Sequence, residues 1–170
     1  MPDPLGGLHP ELVRRLGLIG ASIGGVACAP QSGLRTWSDQ AGLYALGRTV
    51  RNPDGPPPLG NIVTNAAPGT SWHNYGLACD VVFRTGRPGD PAGVLHWDWS
   101  GKLPWTSLGE AGEAASLEWG GRWPAPKTDL PHFELRLGLD IPAAQALYAQ
   151  GGVPAVWAEV DRRLAAQVPP

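Results

Sequence analysis

The sequence predicts an α+β domain with a small, mainly antiparallel sheet, flanking helices and long loops. Three observations carry that prediction. Short strand-like runs are separated by segments of helical period without a regular strand-helix alternation. Twenty-four glycines and nineteen prolines in 170 residues call for many ordered loops. Eight tryptophans and a 42% hydrophobic content argue against disorder and for one core spanning residues 1–170.

Leu12, Leu16 and Ile19 recur at helical spacing after Pro10, which suits a first helical turn. Gly24 to Ala29 reads as a small-residue strand leading into Ser32-Gly33-Leu34-Arg35. Thr36 is placed to cap a second helix that carries Gln40, Leu43 and Tyr44 and ends at Gly47. Arg48 to Thr70 is rich in Pro, Gly and Asn, with only Ile62-Val63-Thr64 resembling a brief strand, and a loop of that length in a compact domain is usually functional. Leu77 to Phe83 is the strongest strand, followed by a Gly/Pro loop from Arg84 to Gly93 and a Trp-rich HWDW stretch. Trp105 to Ala115 is helical in composition, Leu117-Glu118-Trp119 is a short strand turned by Gly120-Gly121, and Pro131 to Leu135 is another. Pro142 and Pro154 each suit a first helical turn, and Val156, Trp157, Val160 and Leu164 form the apolar stripe of a terminal helix.

A formal net charge of −2 without a basic run leaves no footprint for nucleic acid and no face for an anionic membrane. The first fifteen residues lack the apolar run of a signal peptide or membrane span, so the expectation is synthesis without an export signal of its own. Cys28 and Cys79 match neither a zinc motif nor a disulfide framework. They read as two buried thiols, with a single bridge between neighbouring strands left open.

Asp80 is an acid inside the best strand, where alternation puts Ala78, Asp80 and Val82 on one face and Leu77, Cys79, Val81 and Phe83 on the other. A carboxylate there needs a cation or several donors. His73 lies seven residues upstream, beyond a Gly76 able to take the positive φ of a sharp approach. His132 shares a strand face with Glu134, and Asp129 precedes it by three residues, an offset that suits a general base. Taken alone, these residues fit a hydrogen-bonded histidine and a salt-bridged acid as well as a metal site. Cys79 adjoins Asp80, but alternation turns it toward the core.

Three segments together resemble a known family. SGLRTWSDQAGLYALGRT (Ser32 to Thr49), SWHNYGLACDV (Ser71 to Val81) and EWGGRW with DLPHFEL (Glu118 to Leu135) are similar to the zinc peptidases of bacterial cell walls. That family, peptidase family M15, includes VanY-like D-alanyl-D-alanine carboxypeptidases and the L-alanyl-D-glutamate endopeptidases of phage endolysins. The middle segment matches the pattern S-x-H-x-x-G-x-A-x-D throughout. The resemblance implies a hedgehog/DD-peptidase-like fold and one Zn²⁺ held by His73, Asp80 and His132. It makes Asp129 the catalytic base and Arg35 the cation that stabilises the oxyanion, with Gln40 and Ser71 lining the site. Trp119, with Trp123, reads as the wall of a glycopeptide groove. Leu34 and Cys79 depart from the family's usual residues without removing a reacting group.

The implied activity is hydrolysis of the peptidoglycan stem peptide between L-Ala and D-Glu, by a monomer acting as a phage-type endolysin. Such an enzyme is made in the host cytoplasm and meets the wall after release. A D-Ala-D-Ala carboxypeptidase or dipeptidase is the alternative within enzymes, and a zinc-stabilised wall-binding module the alternative outside them.

Overall fold

The structure, a computed structural model, describes residues 5–23, 25–28, 32–85, 94–96 and 102–167. The expected strand ends at Gly24 and Ala29, most of the loop before Gly93, and Trp97 and Trp99 fall outside these residues, as does the side chain of Cys28. The chain divides into two units, Met1–Leu34 with Gly76–Arg136, and Arg35–Tyr75 with Leu137–Pro170.

The first unit holds the sheet. Its strands are β1 (Val26–Cys28), β2 (Ala78–Thr85), β3 (Val94–His96), β4 (Glu118–Trp119) and β5 (His132–Glu134). All pairings are antiparallel, in the order β1-β2-β5-β4, with β3 also pairing β2. β2 is the longest strand and serves three partners along its length. Its residues Ala78, Cys79, Val81, Val82 and Phe83 are all buried, so both of its faces are covered. In this unit the expected strands and their antiparallel pairing are present over the described residues, and β3 is one strand more than the sequence pattern shows.

Two helices complete this unit. α1 (Pro10–Ile23) buries Leu12, Leu16 and Ile19 and lies against α3 (Trp105–Ala114). Arg15 is buried with them because its guanidinium is used twice, on Glu11 at 2.8 Å and on the Ser116 carbonyl at 2.6 Å. Glycine in a helix interior costs about 1 kcal/mol relative to alanine, yet α3 carries two on one face. A Cβ at Gly109 would stand 2.2 Å from the Trp119 ring, and one at Gly112 would stand 2.1 Å from that of Phe133. The missing side chains let the helix backbone approach the aromatic residues of β4 and β5.

The second unit is built on α2 (Trp37–Ala45), a 3₁₀ turn at Trp72–Tyr75, and α4 (Ile141–Gln167). Thr36 caps α2, its hydroxyl accepting from the Asp39 amide at 3.1 Å. α4 is broken at Gly151 and Gly152, the latter at φ 67°, so that Pro142 and Pro154 each stand near the start of a helical stretch, as their positions in the sequence suggest. The fully buried Tyr75 gathers this unit: its hydroxyl donates to the Gly69 carbonyl at 2.6 Å, its ring meets Tyr148 edge-on at 5.9 Å, and its carbonyl accepts from the Trp157 indole at 2.7 Å. Burial raises its phenol pKa to about 12.

Ile62-Val63-Thr64 is not a strand. Ile62 and Val63 are exposed, and the carbonyls of Asn61 and Thr64 accept from the side chains of Asn52 (2.8 Å) and Arg48 (2.8 Å) rather than from a neighbouring strand. The β-branched run is an outer wall of the loop, whose polar groups close on themselves.

Candidate metal centre

The β2–β5 register sets Asp80 directly opposite His132, and Ala78 opposite Glu134. Since alternate residues share a face, Asp80, His132 and Glu134 are delivered to one side of the sheet. Asp80 is fixed from behind, where the Ser32 hydroxyl donates to its backbone carbonyl at 3.1 Å. His132 Nδ1 lies 3.4 Å from Asp80 Oδ1, while Nε2 lies 3.0 Å from Glu134 Oε2. Burial alone would lower the pKa of this imidazole. Hydrogen bonds and charge from Asp80 and Glu134 outweigh it and raise the pKa to about 10, so the surroundings favour positive charge at the ring.

That geometry can be tested against a metal. Two ligands of a tetrahedral zinc at about 2.0–2.1 Å are separated by about 3.3–3.4 Å. The Nδ1–Oδ1 distance of 3.4 Å agrees with that spacing. With Nε2 engaged by a carboxylate, Nδ1 is the nitrogen left to face Asp80. A histidine nitrogen and a carboxylate oxygen are both common zinc donors, so the residues fit the ion.

Asp129 sits at the start of the turn into β5, its carbonyl accepting from the His132 amide at 3.3 Å and its own amide donating to the Gly120 carbonyl at 3.0 Å. Gly120 is required for this approach. A Cβ there would stand 2.6 Å from the Asp129 carbonyl oxygen and 3.1 Å from the His132 Cβ. The Trp123 ring lies beside the His132 imidazole, with centroids 5.0 Å apart. Trp119, expected as a substrate contact, is instead buried at 6% exposure, its indole donating to the Leu130 carbonyl at 2.7 Å. An aromatic in a short strand has two faces to choose from, and this one turns to the glycines of α3.

In the second unit, His73 is held by its backbone within the 3₁₀ turn. Its carbonyl accepts from the Arg35 amide at 2.9 Å, and Asn74 Nδ2 donates to the Arg35 carbonyl at 2.9 Å. Asn74 Oδ1 also accepts from the Gly69 amide, so this asparagine ties three segments together. Its role is not visible from spacing. The Arg35 guanidinium donates to Gln40 Oε1 at 2.9 Å, and Gln40 Nε2 donates to the Ala66 carbonyl at 2.7 Å. Gln40 is 0% exposed, with both ends of its amide used inside the protein. Its place, therefore, is behind Arg35, not at a surface where substrate lies. Ser71 is buried, and its carbonyl closes the turn by accepting from the Asn74 amide at 2.9 Å. Gly76 follows at φ 65°, the left-handed conformation expected there.

Asp80 and His132 supply two metal-donor side chains within the first unit, and His73 carries a third imidazole-type donor in the second. Two histidines and a carboxylate on such a fold are the donor chemistry of a metallopeptidase. Residues 64–135 match the family model described as D-alanyl-D-alanine carboxypeptidase. Over 143 residues the chain is 34% identical to the peptidoglycan L-alanyl-D-glutamate endopeptidase CwlK of Bacillus subtilis (strain 168), covering 79% of this chain and 77% of that protein. It is also similar to the crystal structure of the Serratia marcescens L-Ala D-Glu endopeptidase ChiX, with 29% identity, a TM-score of 0.50 and coverage of 77% of this chain and 82% of that one. The chain belongs to the M15 peptidase family and is a metallopeptidase.

Proposed function

We propose that this protein is a zinc-dependent endopeptidase that cuts the peptidoglycan stem peptide between L-Ala and D-Glu. The observation that carries the reading is the Asp80–His132 pair, which meets the donor spacing of a tetrahedral ion on a chain whose relatives include L-alanyl-D-glutamate endopeptidases. His73 supplies the third ligand. When bound, zinc acts as a Lewis acid on the carbonyl and lowers the pKa of water from 15.7 to about 7.

The remaining work belongs to the chain's own groups. The Asp129 carboxylate accepts a proton from the attacking water and returns it to the leaving amine nitrogen. The Arg35 guanidinium, held by Gln40, donates to the carbonyl oxygen as negative charge develops, and a well-placed donor of this kind contributes about 3–4 kcal/mol. Trp123, beside His132, offers an apolar wall to the peptide.

Digestion of purified peptidoglycan followed by mass spectrometry of new termini tests the assignment. New D-Glu amines are expected. Release of free D-Ala would instead make the protein a carboxypeptidase, the reading suggested by the description of the matching family model. The proposal extends to a monomer acting as a phage-type endolysin; the EWGGRW and DLPH segments resemble the L-alanyl-D-glutamate endopeptidase branch, which includes such enzymes. Lysis of cells from within on co-expression with a holin, but not without one, is the result expected.

A further inference from the structure

The face of β5 that carries His132 continues through Glu134 to Arg136, and these three residues form a connected polar row. Glu134 is buried at 3% exposure, which is costly for a carboxylate unless its oxygens are engaged. Oε2 lies 3.0 Å from His132 Nε2, and Oε1 lies 3.4 Å from Arg136 Nε. Arg136 is in turn held by Glu118, with Nε donating at 2.6 Å and a second nitrogen donating to the other carboxylate oxygen. Glu118 and Glu134 are register partners across β4 and β5. Two like charges directly opposite destabilise a sheet, so the shared guanidinium gives the arrangement its balance.

We propose that Glu134 is a positioning residue for the metal centre. Its carboxylate accepts the Nε2 proton of His132 and thereby fixes the tautomer and ring angle that turn the Nδ1 lone pair toward Asp80, while the Arg136–Glu118 pair fixes Glu134. This inference rests on the reading of His132 as a zinc ligand. An ionised carboxylate can only accept, so Nε2 must carry the hydrogen and Nδ1 is left as the ligand atom. Partners of this kind typically account for 10–100-fold in metal affinity. The chain runs two residues from ligand to partner, so one strand supplies both.

The test is the zinc dissociation constant of the full chain, measured by competition with a chelator. Glu134→Ala should bind zinc 10–100-fold more weakly than the parent. Glu134→Gln, which keeps an acceptor without the charge, should fall between the two. Arg136→Gln should weaken zinc binding by a smaller factor. In ¹⁵N-imidazole spectra of the zinc-loaded parent, the Nε2 proton of His132 should exchange slowly with water, and it should be lost in Glu134→Ala. A role confined to folding would lower the melting temperature without moving the zinc constant. Should Glu134→Ala not fold, Glu134→Gln and Arg136→Gln decide: constants equal to the parent in both overturn the inference. A parent chain that takes up no zinc overturns the metal-centre reading itself, which is a separate outcome.

Discussion

A single carboxylate separates binding from turnover in the proposed site. Asp129→Asn preserves the backbone bonds that Asp129 makes to Gly120 and His132 but removes the proton acceptor. It should retain one zinc per chain and lose at least about 100-fold in rate, the lower end for general-base catalysis. Elemental analysis alongside a wall-digestion assay checks both halves, and a variant that digests as fast as the parent would exclude Asp129 as the base. Gln40→Ala removes the amide oxygen that accepts from the half-buried Arg35 guanidinium and the amide nitrogen that donates to the half-buried Ala66 carbonyl. Losing an ordinary hydrogen bond costs about 0.5–1.5 kcal/mol. Both stability and turnover should fall, whereas zinc content should hold. The alternation of the best strand makes Asp80 conspicuous in the sequence. The pattern does not reveal that Gln40 faces inward, because a polar residue in a short helix looks the same whether it meets solvent, substrate or an arginine.

The elements divide according to whether their signal is local. α2 is legible because its cap is a one-residue device, Thr36 bonding the Asp39 amide. The strands β2 and β5 are legible because apolar residues mark them. β3 is not, since three residues paired to a longer neighbour leave almost no pattern. Ile62-Val63-Thr64 misleads because β-branched residues suit strands, and nothing local says that the Arg48 side chain will take the Thr64 carbonyl and that of Asn52 the Asn61 carbonyl just before the run. The glycines of α3 carry the opposite lesson, since their reason lies across space in Trp119 and Phe133. Gly112→Ala should gain a little helix propensity but press a Cβ into the Phe133 ring, for a net loss of about 1–3 kcal/mol. In a chain of this size that lowers the melting temperature by roughly 2–4 °C per kcal/mol.

α1 supplies a pH prediction. The Arg14 hydrogen bond, with Arg15, holds Glu11 at a pKa of about 2, below the ordinary 4.5. A depressed pKa means that the ionised form is favoured by folding, so its contribution is complete above about pH 4.5 and disappears as the pH falls toward 2. The melting temperatures of Glu11→Gln and the parent should therefore differ at pH 6 and converge near pH 2. A gap that stays constant across that range would show that the pair contributes nothing through charge.

At the scale of the whole chain, the path crosses between the two units after Leu34, Tyr75 and Arg136. Each crossing falls within or beside one of the three segments that carry the family likeness, Ser32 to Thr49, Ser71 to Val81 and Glu118 to Leu135. Zinc bound by the folded chain alone should stabilise it by about 2.7 kcal/mol when free zinc is 100 times its dissociation constant. Chelation should lower the melting temperature accordingly, and readdition of zinc should restore it. His73→Ala should melt where the chelated parent does and gain nothing from added zinc. Full stabilisation of that variant by zinc would mean that the ion is held without His73, leaving Asp80 and His132 to find their third ligand elsewhere.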